Sequence, residues 1–327
     1  MVRARTNTKI KPSKQADLRT DEAAQVRIAN RLSLLEQSSK GETRGAWSKS
    51  KTADLQVVKP VKTTRYSDID LNNWKAYEHV KTDTLWEFPT RLKDGGHSNE
   101  YHGNYIPQIA QQLYERFTKK NDIVLDLFFG SGTSGIEAVN MGRRCIGVEL
   151  KDELAESVSE KFTPKQLVTD VRVICADSAS EIAKEKIQAS LDIMREEKAQ
   201  FLILHPPYDD IIKFSDKKED LSNCDTTEEF YDLFAKVAKN GYDMLEKGRF
   251  AALIIGDSYK NSEVQPLGFE CMARTMSLGF KLKGIIVKDI QGNERAKGKT
   301  ANLWRYRALA GGFFIFKHEY VMIFEKK

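Results

Sequence analysis

The sequence is poor in cysteine and lacks any long apolar run. It has four cysteines in 327 residues, and none forms a CxxC pair or lies at Cys/His ligand spacing, so neither a disulfide framework nor a zinc site is indicated. Its longest apolar stretches, such as 250–255 and 321–324, fall far short of the roughly 20 residues that a membrane-spanning helix needs. The amino terminus is basic and has no apolar region of the secretory type. We therefore expect a soluble, cytoplasmic protein with no membrane partner and no bound metal.

Positive charge is concentrated near the amino terminus. The formal net charge is +5, but residues 1–65 hold 15 Lys and Arg against 6 Asp and Glu, a net +9 that leaves −4 for the remainder. Lys and Arg placed near phosphates release condensed counterions, so such an arm suits a polyanion such as DNA. A solvated tail without a partner would have the same composition.

Two regions differ in their hydrophobic patterns. Apolar residues in 21–37 recur at helical spacing and predict one amphipathic helix within a basic extension, 1–65. From residue 122 onward, short apolar runs alternate with helical segments, which is typical of a parallel sheet with crossover helices. The last two predicted strands, 313–316 and 320–324, resemble an antiparallel pair. The sequence thus predicts an α/β domain over 66–327, with a mostly parallel sheet that ends in an antiparallel hairpin.

A strand, a glycine turn and a helix follow one another in IVLDLFFGSGTSGIEAVNMG. Glycine lets the backbone approach a ligand closely, and the start of the helix offers free N–H groups, so this order predicts a cofactor loop. Gly130, Gly132 and Gly135 also satisfy the G-x-G-x-x-G pattern of dinucleotide-binding folds. A nicotinamide-dependent oxidoreductase therefore remains open at this point.

Two acidic residues end or follow the next two strands. Glu149 ends the strand in CIGVEL, and Asp177 follows the strand in VRVICAD. At the carboxyl edge of the sheet, Glu149 can accept hydrogen bonds from both ribose hydroxyls of an adenosine, and Asp177 one from the adenine amino group. Either carboxylate could instead cap the following helix, Asp177 ahead of Ala179 in particular.

A stiff turn follows the apolar strand in FLILHPPYDD. Pro206 and Pro207 each fix φ and lack an N–H donor, so His205 and the ring of Tyr208 are held at the edge of the sheet. This loop resembles the tetrapeptide of the S-adenosylmethionine-dependent DNA amino-methyltransferases, usually Asp, Asn or Ser followed by Pro-Pro and an aromatic residue. Histidine at 205 departs from that pattern, yet a neutral imidazole still offers one acceptor nitrogen.

The resemblance covers roughly residues 85–327. Residues 126–133 look like the family's S-adenosylmethionine loop, and 102–108 look like the segment that closes over the methionine end. The carboxyl-terminal FKHEYVMIFEK is similar to the hairpin that supports the base pocket. The cofactor loop precedes the Pro-Pro-Tyr loop, whereas many bacterial members have the reverse order, which indicates a differently permuted group. The implied fold is Rossmann-like.

The resemblance implies a methyl transfer from S-adenosylmethionine to cytosine N4 or adenine N6 in DNA, sequence-specific and with base flipping, as in restriction-modification methylation. The implied catalytic residues are His205, Pro206, Pro207 and Tyr208. The implied cofactor residues are His102, Asp126, Phe128, Gly130, Ser131, Gly132, Thr133, Glu149 and Asp177. Target recognition is expected in insertions near 209–224 and 289–312. An RNA base methyltransferase and a catalytically silent nucleic-acid-binding relative fit the same residues, although no RRM or KH pattern is present.

Overall fold

The computed structural model describes residues 61–93, 95–97, 103–163, 170–208, 213–260, 263–290 and 301–327, with the backbone alone for 301–304. The helix predicted within 21–37, most of the basic extension and His102 lie outside the described residues. None of the helices in these ranges is long and apolar enough to cross a membrane.

Eight strands form one mixed sheet. They are β1 Leu85–Trp86, β2 Ile123–Asp126, β3 Arg144–Glu149, β4 Val171–Cys175, β5 Ala199–Leu204, β6 Leu245–Ile255, β9 Phe280–Asp289 and β10 His318–Lys326, while β7 Ser258–Lys260 and β8 Glu263–Gln265 form a separate antiparallel pair. The order across the sheet is β1-β9-β10-β6-β5-β2-β3-β4. Neighbours pair in parallel except for β10, which runs antiparallel to both β9 and β6.

Helices cover both faces of this sheet. They are α1 Pro107–Phe117, α2 Thr133–Asn140, α3 Asp152–Phe162, α4 Glu181–Ile193, α5 Thr227–Met244, α6 Leu267–Ser277 and α7 Ala301–Gly311. Apolar residues of α1, α2 and α3 pack in one core, and those of α4, α5 and α6 pack in another. In β2, Ile123 and Leu125 belong to the second core and Val124 to the first, because successive side chains of a strand point to opposite faces. A strand buried on both faces reads as a continuous apolar run, which is what the sequence contains.

The predicted α/β class and mostly parallel sheet are confirmed. The strand predicted at 313–316 is wrong, because these residues form no strand. In its place, β9 is the antiparallel partner of β10, with residue pairs such as Val321 and Ile286. Residues 313–316 line a cavity instead. A cavity-lining segment and a buried strand can have the same apolar composition, so the sequence alone does not distinguish them. The sequence pattern also missed α7, which lies within the predicted insertion at 289–312.

The position of the cavity follows from the strand order. The chain passes from β2 to β3 and β4 on one side of the sheet, then returns to β5 and β6 on the other side of β2. Ligands of open α/β sheets bind beyond the carboxyl ends of the strands at such a reversal. The glycine loop after β2 and the Pro-Pro-Tyr loop after β5 are therefore brought to one crevice.

Candidate active site

A cavity of about 720 Å³ lies beyond the carboxyl ends of β2, β3 and β5. Eight of the predicted site residues line it: Phe128, Gly130, Glu149, Asp177, His205, Pro206, Pro207 and Tyr208. Four others, Asp126, Ser131, Gly132 and Thr133, belong to the same loop but do not line the cavity. The fold therefore brings both predicted loops to one place.

The glycine loop is shaped by the ring of Phe129 beneath it. A Cβ at Gly135 would lie 2.8 Å from Phe129 Cζ, and one at Gly147 would lie 2.2 Å from the same ring. These glycines allow α2 to approach β3 closely. Gly132 adopts φ +87 at the N-cap of α2, and its missing Cβ points toward Val158 of α3. A side chain at Gly132 would therefore collide with α3.

Asp126 supports the loop from below. Its buried carboxylate accepts hydrogen bonds from the Phe128 N–H at 2.9 Å and from the Ser134 hydroxyl. Burial raises the pKa of Asp126 to about 6. The loop is also tied to the segment before α1, because the Asn104 amide donates to the Ser131 hydroxyl at 2.5 Å.

The Glu149 carboxylate is held at the cavity wall by two backbone groups. One oxygen accepts the Gly130 N–H at 2.8 Å and the other accepts the Lys151 N–H at 2.9 Å. Burial raises the pKa of Glu149, and these two hydrogen bonds oppose the shift. Each oxygen keeps a further lone pair, so the carboxylate can accept two hydroxyl donors from a ligand.

Asp177 also lines the cavity. One carboxylate oxygen accepts the Ala179 N–H at 2.9 Å, as a local turn requires. The N-cap of α4, however, is Ser180, whose hydroxyl accepts the Ala183 N–H at 3.1 Å. Asp177 therefore forms a local hydrogen bond but does not cap the helix. The helix begins at Glu181, two residues after residue 179, where the sequence pattern predicts its start.

His205 stands at the wall of the cavity between two tyrosine rings. The ring centroids of Tyr105 and Tyr208 lie 5.1 and 5.9 Å from that of His205, and both contacts are nearly perpendicular. Burial lowers the pKa of His205 to about 4. The imidazole is therefore neutral at physiological pH, and a neutral imidazole has one acceptor nitrogen.

The hydroxyl of Tyr208 is held by a buried ion pair. It donates to Glu319 Oε2 at 2.7 Å, and Glu319 Oε1 lies 2.9 Å from Lys288 Nζ. Burial raises the pKa of Tyr208 well above its ordinary value, so the phenol keeps its proton. Sequence reasoning missed both charged residues. The available signal was a lysine and a glutamate within the otherwise apolar runs GIIVKD and HEYVMIF, because such residues are rarely buried unless paired.

Aromatic residues missed by the sequence patterns also line the cavity. Tyr259 stacks on Phe316 with 4.9 Å between centroids and meets Phe313 edge-on at 5.5 Å. Its hydroxyl accepts the Phe314 N–H at 3.1 Å. The Phe314 ring itself is 81% exposed. Among the described residues, no group of three or more His, Cys, Asp or Glu could hold a metal ion.

Comparison with known proteins identifies relatives of this chain. Residues 25–160 match a family model described as DNA methylase, of the N6-adenine and N4-cytosine type. A probable type III restriction-modification enzyme HindVI Mod subunit from Haemophilus influenzae is 32% identical over 100 residues, which are 29% of this chain and 13% of that protein. The type II methyltransferase M2.LlaDCHI from Lactococcus lactis is 38% identical over 69 residues, 20% of this chain and 26% of that protein. The chain thus aligns with less than a third of either relative.

The fold also resembles that of solved structures. TrmN from Thermus thermophilus is 17% identical, with 69% of this chain and 50% of that chain covered and a TM-score of 0.44.

Proposed function

We propose that this chain transfers a methyl group from S-adenosylmethionine to cytosine N4 or adenine N6 in DNA, because residues 25–160 match the DNA methylase family model. The observation that carries the proposal is the arrangement of the cavity. Glu149 and Asp177 line the same cavity as the His205–Tyr208 loop. A nicotinamide-dependent oxidoreductase would leave the second group without a role.

The residues at the Glu149 end suit the adenosine part of the cofactor. S-adenosylmethionine supplies a methyl group on a positively charged sulfonium. Glu149 would accept the ribose hydroxyls, and Asp177 would accept from the adenine amino group. Asp126, Ser131, Gly132 and Thr133 would act by shaping the loop that carries Gly130. His102 remains a predicted cofactor residue.

The His205–Tyr208 loop suits an exocyclic amine. The lone pair of such an amine is delocalised into the base, so hydrogen-bond acceptors on its two hydrogens are needed to draw the nitrogen toward tetrahedral geometry. His205 would provide one acceptor and the Pro206 carbonyl the other, while the ring of Tyr208 stacks on the base. Positioning and exclusion of water would supply most of the rate enhancement. The target base must leave the duplex to reach this cavity, at a cost of a few kcal/mol.

The exposed residues that precede the cavity-lining segment 313–316 suit a DNA-binding surface. Arg305, Tyr306 and Arg307 are exposed on α7, and the exposed ring of Phe314 follows them. Arginine suits contacts with phosphates and base edges, and an apolar ring can enter the stack that a flipped base leaves. We assign sequence recognition to 289–312 on this basis. The described part of 209–224 lies beside Glu149, where Asp220 and Leu221 line the cavity.

The proposed activity is tested by incubating the protein with duplex DNA and isotopically labelled S-adenosylmethionine, followed by mass spectrometry of the nucleosides. N4-methylcytosine or N6-methyladenine is the expected product. A matched RNA of the same sequence separates the DNA reaction from an RNA reaction. Binding of S-adenosylhomocysteine without transfer to either polymer would support a silent relative instead.

Glu149→Gln is expected to weaken binding of S-adenosylhomocysteine by about 1.5–3 kcal/mol, the range for a hydrogen bond to a charged group. The amide keeps one acceptor oxygen, but its NH₂ group faces either the Gly130 N–H or the Lys151 N–H. Titration calorimetry measures the change. Glu153→Gln, on the exposed face of α3, is the control and should bind like the wild type. Equal affinities of both variants for S-adenosylhomocysteine would show that Glu149 does not contact the cofactor.

The basic extension is expected to add salt-dependent affinity for DNA. Replacing Arg3, Arg5, Lys9, Lys11 and Lys14 with glutamine keeps the chain length and should reduce the slope of log K against log salt by up to about 4.5, because each phosphate contact contributes roughly 0.9. Cofactor affinity should not change. Deletion of residues 1–50, which removes all eleven Lys and Arg of that segment, should reduce the slope at least as much. An identical slope in all three proteins would show that the extension does not contact DNA.

A further inference from the structure

Lys288 and Glu319 form a buried ion pair at the cavity wall. They are direct cross-strand partners on β9 and β10, and their side chains are 6% and 9% exposed. Both line the cavity. Removing two charges from water is costly, and an apolar pair of the same size is often as stable. The stability of the sheet therefore does not explain why these two residues are charged. An interaction with a bound ligand does.

The pair is connected to both parts of the proposed base pocket. Glu319 accepts the Tyr208 hydroxyl, and the face of the Tyr208 ring is bounded by Gly256, where a Cβ would lie 3.0 Å from Tyr208 Cε2. The ring thus has a single position. The charges of Glu319 and Lys288 also act on His205 in opposite directions, which places the pair near the imidazole.

Lys288 has donors to spare on the cavity side. An ammonium carries three N–H groups, and the ion pair with Glu319 uses one of them. In the proposed pocket, His205 and the Pro206 carbonyl are acceptors for the amine. Both target bases have a ring nitrogen acceptor next to that amine, N3 in cytosine and N1 in adenine. An unpaired buried acceptor would be costly, so the pocket needs a donor beside its acceptors.

We propose that Lys288 donates a hydrogen bond to this ring nitrogen and that Glu319 is a positioning residue for Tyr208. The proposal rests on the proposed function and adds a basis for base selection. Thymine has an N3–H at the corresponding place and a carbonyl in place of the amine, so it would direct a donor at the ammonium. The pair therefore favours cytosine and adenine over thymine.

The test uses duplexes in which the target base is natural or lacks only the ring nitrogen, as 3-deazacytosine or 1-deazaadenine. The two analogues distinguish a cytosine target from an adenine target. Lys288→Met alone would leave the Glu319 carboxylate buried without its ion-pair partner. The main variant is therefore the double substitution Lys288→Met with Glu319→Gln. Wild type should lose about tenfold in kcat/KM on the analogue. The double variant should lose a similar factor on the natural base and nothing further on the analogue.

Lys283→Met is the matched control, because Lys283 pairs with Glu325 at 3.4 Å on the same two strands, and neither residue lines the cavity. It should behave like wild type on both substrates. Binding of S-adenosylhomocysteine and thermal unfolding verify that each variant is folded. If the double variant loses as much on the analogue as wild type does, the hydrogen bond from Lys288 is disproved while the methyltransferase activity stands. If wild type methylates no DNA, the proposed function fails, and this role fails with it.

Discussion

His205→Ala is expected to slow methyl transfer at saturating substrates by about 10² or more, the effect of removing a positioned hydrogen-bonding group from a reaction centre. The imidazole is held between the rings of Tyr105 and Tyr208, so its acceptor nitrogen has a defined direction. Alanine removes that acceptor and leaves the cofactor end of the cavity intact. His205→Asn restores a side-chain acceptor and should retain measurable activity. Single-turnover rates on one DNA substrate compare the three proteins.

The same role determines the pH dependence. The ordinary pKa of imidazole, about 6.5, would predict loss of activity just below neutral pH. Burial lowers the pKa of His205 to about 4, so the neutral, accepting form is present above pH 4 and is lost as the pH falls through that value. The contribution of His205 to the single-turnover rate should therefore be constant from about pH 5 to 8 and decline only below about pH 5.

Asp126 supplies a second titration near the site. Burial raises the pKa of Asp126 to about 6, so an inflection near pH 6 that persists in His205→Asn belongs to another group than His205. His79→Ala is the control, because His79 is exposed and pairs with Glu115 outside the cavity. A rate for His205→Ala equal to that of wild type would refute the catalytic role of the imidazole.

Gly132→Val is expected to abolish detectable binding of S-adenosylhomocysteine. Gly132 has φ +87, and a Cβ there would lie 2.9 Å from Val158 Cγ1. A left-handed conformation costs a non-glycine residue roughly 1–2 kcal/mol, and the collision with α3 adds to it. Relief requires the loop to move, and the same loop carries Gly130, whose N–H orients Glu149. Titration calorimetry measures the loss.

Gly142→Val separates backbone strain from damage to the site. Gly142 has φ +71, but a Cβ there would meet only Lys120 Cγ, at 3.9 Å. It lies at the other end of α2 from the glycine loop. Gly142→Val should lower stability while it binds S-adenosylhomocysteine as wild type does. Retained binding in Gly132→Val would show that the loop does not form the cofactor site.

Local patterns were sufficient for most of the fold. The sequence predicts α3 over 152–162 and β4 over 171–175, and the structure has both at those bounds. These elements are recognisable because helical and strand periodicities depend on neighbours along the chain. Residues 313–316 were misassigned because aromatic residues along a cavity and apolar residues in a buried strand have the same local composition.

The sequence by itself determined the positions of the glycine loop and the Pro-Pro-Tyr loop, because glycine and proline act on the backbone at their own positions. Tertiary structure alone decided their chemical environment. Burial, not residue type, lowers the pKa of His205 and raises that of Asp126. Lys288 and Glu319 meet only because β10 lies antiparallel beside β9, and Gly132 is constrained by α3 rather than by a ligand. Such contacts join residues that are distant along the chain, so no local pattern contains them.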